Sequence, residues 1–372
     1  MKKLLFLTGT RADYGKLKPL IKVSHSVDQV DSRVAVTGMH ALSSYGSTWR
    51  EVSRDFPDAY IFLNQNDLDT PATILAKTVS RLEDLFREIE PDLLVVHGDR
   101  LEALAAAATG AFMNIRVGHI EGGEVSGTVD ESIRHAVSKL AHVHFVSNAK
   151  AATRLHKLGE TSETVFVIGS PELDVADSPD LPTLEETLAA YGIPDRDYAI
   201  FVFHPVTTDV ERSARQADMT IHALQSKGLH TVIIEPNNDL GSDYIRQQLA
   251  SVRENSRFSI FPSVRYERFL VLLRNAQFVI GNSSLGVREA PHYGVPSVNI
   301  GDRQLGRATA PTIVNVHPES PREVSDAIDL ASTLPRIPSY EFGDGKSAER
   351  FADILASGAI WSIPIQKRFF DD

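Results

Sequence analysis

Short apolar runs rich in β-branched residues alternate along this chain with longer segments of helical periodicity, and that alternation restricts the fold more than any other feature. In the first half the runs are LLFLT (4–8), RVAVT (33–37), AYIFL (59–63), DLLVVH (92–97), IRVGHI (115–120), VHFV (143–146) and TVFVIG (164–169). Between them lie stretches such as 71–90, where Ile74, Leu75, Val79, Leu82 and Leu85 recur at helical spacing behind a first-turn Pro71. Continuously apolar strands separated by helices predict a parallel sheet covered on both faces. The segment 170–197 breaks the rhythm with four prolines and a cluster of acids around one short helix, and it reads as a linker. The alternation then restarts with YAIFVF (198–203), TVIIE (231–235), FSIF (258–261), QFVIG (277–281), PSVNIG (296–301) and TIVNV (312–316). The expectation is an α/β protein of two Rossmann-like domains facing a cleft, residues 1–170 and 171–349. The tail 350–372 reads as an interrupted helix packing back on the first domain. Ligands in such sheets bind at the carboxyl ends of the strands.

Length supports two domains, since 372 residues exceed what one small core organises. Net charge is −11, with the acids spread along the chain, which argues against a nucleic-acid surface. A few Arg and Lys side chains can still build a local pocket for a small anion. The chain has no cysteine, so thiolate chemistry, disulfides and cysteine-ligated zinc are excluded. The N-terminal MKKLLFLTGTRAD has an apolar core of only LLFL before Arg11 and Asp13, which fits a buried first strand better than a secretory signal. No apolar run approaches the roughly 18–20 residues that span a bilayer. The expectation is a soluble, cytoplasmic protein without a membrane partner. The histidines are scattered and form no HExxH, so nothing in the sequence demands a metal or other cofactor.

Polar residues and glycines gather where strands end. TGTRADYG (8–15) follows the first strand and places Arg11 near a helix N-terminus; it is neither GxGxxG nor a P-loop. VVHGDRLEALAAAATGAF (95–112) sets His97, Asp99, Arg100 and Glu102 before an alanine-rich helix, where Asp99 is either a helix cap or a working acid. GHIEGGEVSGTVD (118–130) adds Glu121, Glu124 and Asp130 from the next strand, a neighbour of the previous one if consecutive strands pair. Asp99 and Glu121 would then form a close acidic pair, and crowding of that kind raises one pKa. Asp130 and Arg134, four apart, would share a helix face. The bland alternative is a cap, a surface ion pair and solvated glutamates. An acid/base site fits a strand-end location better, with Glu124 outside it.

The second half offers different chemistry. GNSSLGVREAP (281–291) places Asn282, Ser283 and Ser284 at a predicted helix N-terminus, a phosphate cradle that needs no metal, with Glu289 available for a ribose diol. FHPVTTD (203–209) and GDRQLGR (301–307) put His204 and Arg303 after further strands.

Taken in order, TGTRADYG, HGDR, HIEGGEVSGTVDESIRH, FHPVTTD, IGNSSLGVREAP and GDRQLGR resemble the hydrolysing UDP-N-acetylglucosamine 2-epimerases of bacterial sialic-acid pathways, and the epimerase half of the animal bifunctional enzyme. The resemblance spans nearly the whole chain. It implies two Rossmann-like domains of the GT-B glycosyltransferase type, a homodimer or homotetramer, and conversion of UDP-GlcNAc and water to UDP and N-acetylmannosamine. The implied mechanism eliminates UDP across C1–C2 to 2-acetamidoglucal and then adds water. Matched to the family, Asp99, Glu121 and Asp130 are the catalytic carboxylates, Arg134 supports them, and His204 lies close to the diphosphate and sugar. Arg11, Arg100, Asn237, Ser283, Ser284, Glu289 and Arg303 match nucleotide-binding positions, Val264 and Phe269 the uracil pocket, and Lys16 a basic residue beside the substrate. A sister branch acts on a UDP-linked 2,4-diacetamido-trideoxy sugar, and another returns UDP-N-acetylmannosamine without hydrolysis. A GT-B glycosyltransferase and a silent UDP-sugar sensor are the readings from other classes.

Overall fold

The computed structural model describes residues 1–370 except Gly127, Thr128, Asp195, Asn237, Asn238 and Leu240. The chain divides into two compact units, Met1–Glu124 with Asp130–Asp177 and Phe342–Asp372, and Ser178–Glu341 with Val125–Val129.

The first unit is a seven-stranded parallel sheet built from β1 (Lys2–Thr8), β2 (Val30–Val36), β3 (Tyr60–Ile61), β4 (Leu93–His97), β5 (Arg116–Ile120), β6 (Val143–Val146) and β7 (Val165–Val167), in the order β3-β2-β1-β4-β5-β6-β7. Alternate residues of each central strand face opposite cores, which is why the runs are apolar throughout. Leu4, Phe6, Leu93 and Val95 enter one cluster, while Leu5, Leu7, Leu94 and Val96 enter the other. The run AYIFL contributes only two paired residues because it forms an edge: Tyr60 and Ile61 match Ala35 and Val36. Past them the Asn64 side chain turns in to accept from the Gly38 N–H at 3.0 Å.

The second unit repeats the design with β8 (Tyr198–Val202), β9 (His230–Ile234), β10 (Phe258–Phe261), β11 (Val279–Gly281), β12 (Ser297–Ile300) and β13 (Ile313–Val316), ordered β10-β9-β8-β11-β12-β13 and all parallel. Phe201 and Phe203 lie in one core, Tyr198, Ile200 and Val202 in the other.

The units part at 177/178 and 341/342, where the sequence reading puts 170/171 and 349/350. The difference is the short helix Pro171–Ala176, whose Leu173 and Glu172 are buried in the first unit. Its Asp174 accepts from the backbone N–H groups of Ser347 (2.9 Å) and Ala348 (2.5 Å), capping the tail helix Ser347–Ser357 from outside. That helix inserts Phe351 between Phe6 and Phe145, with ring centroids 6.0 and 4.9 Å away. Beyond a short turn at Ala359–Ser362, Arg116 Nε donates to Ile363 O at 2.9 Å, and His142 Nε2 pairs with Ile365 O at 3.0 Å. No helix among the described residues is long and apolar enough to cross a membrane.

Phe351→Ala removes a fully buried ring from a core shared by β1, β6 and the tail, and is expected to cost about 3–5 kcal/mol. Urea unfolding followed by hydrogen exchange in β1 and β6 checks this; an unchanged midpoint there would show that the tail adds nothing to that core.

Candidate active site

Strand order in the first sheet reverses between β1 and β4, so the loops after these strands run in opposite directions and leave room at the carboxyl edge. After β1, Gly9 and Thr10 lead into the helix Arg11–Ser24, and Thr10 Oγ1 caps it by accepting from Asp13 N at 3.2 Å. After β4, Gly98 adopts φ 71°, and its N–H donates to Ile120 O at 2.9 Å, tying this turn to β5. Glu121, the first residue past β5, also has a left-handed backbone at φ 65°, uncommon for a residue with a side chain.

These turns bring five ionisable groups together. Lys16 Nζ lies 3.1 Å from Glu121 Oε1 and 3.7 Å from Glu172 Oε1. His97 Nε2 lies 3.3 Å from the same Glu121 oxygen, and its Nδ1 is 2.9 Å from Asp13 Oδ1. Burial opposes charge on His97, but the carboxylates of Glu121 and Asp13 outweigh it and lift the imidazole from 6.5 to about 9. Asp99 Oδ2 is contacted by Nη2 of Arg134, a buried guanidinium on the helix Val129–Leu140. Asp130 stands in the first turn of that helix, half-buried. Arg11 is held two-pronged by Glu51, with Nε and Nη2 each 2.9 Å from Oε2, and Arg100 Nε lies 3.5 Å from Glu102 Oε2.

Of the two readings of Asp99, the helix cap is the one the structure sets aside. Asp99 does not cap the following helix: Arg100 is the N-cap residue, without a side-chain cap bond, and the Asp99 carboxylate goes to Arg134. Asp99 and Glu121 each have a cation beside them, Arg134 for one and Lys16 with His97 for the other. Glu124 is buried and accepts from Ser147 Oγ at 2.7 Å, a contact that anchors the loop to the end of β6.

In the second unit the same reversal falls between β8 and β11. Asn282, just past β11, bridges it: Oδ1 accepts from His204 N and Nδ2 donates to His204 O, both at 2.7 Å. The Asn282 carbonyl accepts from Arg303 Nη1 at 3.1 Å and Gln304 Nε2 at 3.2 Å, so His204, Asn282 and Arg303 meet at one point. Gly281 has φ 136°, and a Cβ there would stand 2.0 Å from Val202 O. Ser283 and Ser284 do not open a regular helix. A single 3-10 turn, Ser284–Gly286, precedes a separate four-residue helix, Glu289–His292. The Gly286 carbonyl at the end of that turn accepts from Ser297 Oγ at 2.5 Å. Val264 and Phe269 are buried in one cluster with Leu285, and Glu289, a turn past Leu285 in sequence, is buried as well. Asn237 lies outside the described residues. Among the described residues no group of His and carboxylates is arranged to hold a metal ion.

Comparison with known proteins places this geometry. The sequence model of the UDP-N-acetylglucosamine 2-epimerase family matches residues 23–356. The chain belongs to the UDP-N-acetylglucosamine 2-epimerase family. It is 45% identical to the UDP-N-acetylglucosamine 2-epimerase of Neisseria meningitidis serogroup B, covering 100% of this chain and 99% of that protein. It is 33% identical to the UDP-N,N'-diacetylbacillosamine 2-epimerase (hydrolyzing) of Legionella pneumophila, with 99% of each covered. The crystal structure of a Neisseria meningitidis UDP-GlcNAc 2-epimerase bound to UDP-GlcNAc shares the fold, with TM-score 0.81 at 20% identity over 95% of this chain and 100% of that one. The two Rossmann-like units are therefore of the GT-B type found in this epimerase family.

Within that family frame, sequence reasoning passed over Asp13, His97 and Glu172 as site residues. Asp13 had a signal, since Thr-x-x-Asp ahead of an apolar run marks a helix start. His97 had none beyond its place at a strand end, and Glu172 sat in a segment that resembled a linker.

The buried histidines of this epimerase-family chain give stability a sign that depends on pH. Burial depresses His40 to about 4, His119 to about 3 and His142 to about 4, and depresses His144 as well. The unfolded chain takes up protons on all four as pH falls below 6.5, so unfolding free energy drops from pH 6.5 toward 4. His97 acts oppositely: its contribution is complete below 6.5 and is lost as pH rises through about 9. Urea titrations across pH 4–10 should show both slopes, and His97→Gln should abolish only the alkaline one.

Proposed function

We propose that this chain is a hydrolysing UDP-N-acetylglucosamine 2-epimerase, converting UDP-GlcNAc and water to UDP and N-acetylmannosamine, a sialic-acid precursor. The observation that carries the reading is the placement of Asp99 and Glu121 just past the ends of the adjacent strands β4 and β5, each beside a cation. Elimination requires a base for the C2 proton, a means to stabilise the departing diphosphate, and a group to return a proton when water adds to the glucal. Three carboxylates that can exchange protons, with lysine and arginine beside them, match that demand. In the first unit, Asp99, Glu121 and Asp130 exchange protons, Arg134 orients Asp99, Lys16 orients Glu121, and Arg11 and Arg100 provide positive charge. In the second unit, His204, Arg303, Ser283 and Ser284 serve the diphosphate, Glu289 the ribose, and Val264 and Phe269 the uracil, with Asn237 assigned to the nucleotide by resemblance. The working form is a homo-oligomer, and the reaction is metal-independent, so EDTA leaves turnover unchanged.

Incubation with UDP-GlcNAc in D2O, followed by NMR, tests the reaction. Free UDP and N-acetylmannosamine with deuterium at C2 is the expected result. Retention of the C2 proton would defeat the elimination route, and UDP-N-acetylmannosamine would indicate the non-hydrolysing reaction. The second reading is hydrolytic epimerisation of a UDP-linked 2,4-diacetamido-trideoxy sugar, favoured by the full-length match to the Legionella pneumophila protein; turnover of that sugar in preference to UDP-GlcNAc decides for it. Asp130→Asn is expected to lower kcat at least about 100-fold, the scale of a lost acid/base group, while calorimetric UDP binding persists. Near wild-type kcat would remove Asp130 from the machinery.

A further inference from the structure

The buried charges beneath Glu121 do more than neutralise one another. Asp13 is fixed at both ends: its N–H donates to Thr10 Oγ1, and its Oδ2 accepts from the Gly9 N–H at 3.0 Å. Its remaining oxygen lies 2.9 Å from His97 Nδ1, and the opposite ring nitrogen lies 3.3 Å from Glu121 Oε1. The three side chains are 11%, 8% and 7% exposed, so little water screens them. Both cations, His97 and Lys16, meet Glu121 on Oε1, which leaves the carboxylate one orientation, with Oε2 on the Gly98 side.

We propose that Asp13 and His97 are a positioning pair for Glu121: the aspartate retains a cationic imidazole, and that imidazolium, with Lys16, holds the Glu121 carboxylate ionised and in one orientation. This deepens the acid/base reading of Glu121 and rests on it. Neither residue touches the reacting atoms in this scheme; both act through Glu121.

The groups that face His97 come from three elements. Asp13 and Lys16 lie on the helix after β1, and Glu121 and His119 come from the end of β5. Arg100 and Glu102, on the segment after β4, line the same small cavity as Asp13 and His97. Arg100 is countered by Glu102, and His119 is neutral, its ring nitrogens engaged by Gly98 O and Ser138 Oγ at 2.8 and 3.0 Å. The two carboxylates in direct contact therefore dominate, and they favour the protonated ring.

A merely structural triad would lower stability when cut but would not move a pH profile. Asp13→Asn keeps the shape and removes the charge. In the resting protein, the His97 imidazole, identified by the NMR resonance absent from His97→Gln, is expected to titrate near 9 in wild type and to fall toward its ordinary 6.5 in Asp13→Asn. With UDP-GlcNAc, the acid limb of kcat/KM against pH is expected to move up by about 1–3 pH units in His97→Gln and by a smaller step in Asp13→Asn, with KM nearly constant. A wild-type His97 that titrates at or below 6.5 overturns the proposal. So does an Asp13→Asn profile that is scaled down without displacement. If wild type turns over no UDP-GlcNAc, the reaction assignment fails, and the imidazole titration still decides the pair.

Discussion

The left-handed backbone of Glu121 is the constraint on which the first unit's chemistry depends. A side-chain-bearing residue at φ 65° costs on the order of 1–3 kcal/mol and persists only where its surroundings hold it. Here the holding is visible: its N–H donates to Phe145 O at 3.3 Å, and its carboxylate is gripped by Lys16 and His97. The turn ends β5 abruptly and keeps the carboxylate beside the end of β4. Without it the strand would run on, and the acid would leave the lysine, the histidine and Asp99 behind.

The two units line one architecture with different chemistry. In each, the reversal of strand order creates a gap at the carboxyl edge of the sheet. The first unit lines that gap with carboxylates, among which Asp99 and Glu121 stand beside cations. The second ties it with one asparagine that hydrogen-bonds across the reversal, and surrounds that knot with a histidine, an arginine and two hydroxyls. Proton exchange suits the first lining, and recognition of a charged, polar ligand suits the second.

Much of the fold was legible because its strands are apolar on both faces, a pattern that survives without knowledge of their neighbours. The edge strand β3 was overestimated for the same reason: apolar composition does not reveal where pairing stops. Site residues were legible by position at strand ends, but their partners were not. Asp99 has the local look of a helix cap, and only the tertiary fold shows that Arg134, 35 residues on, claims it. Glu172 was hidden by its surroundings, since prolines and acids around a short helix resemble a solvated linker while its own side chain is completely buried. The serines after β11 promised a helix start, and the chain makes only a single 3-10 turn there, Ser284–Gly286.

The tail helix changes how the molecule must be assembled. Phe351, Leu355, Ile360 and Ile363 belong to the same core as β1, so the first unit draws on segments far apart in the sequence. The second unit, by contrast, is almost wholly one continuous stretch, Ser178–Glu341. During vectorial synthesis the later-made unit can close as soon as it emerges, whereas the earlier-made one must wait, its sheet lacking part of one covering layer, until the segment from Phe351 to Ile363 leaves the ribosome. Order of synthesis and order of completion are thus inverted, and the interval between them is when an incomplete first core is exposed to chaperones or to aggregation.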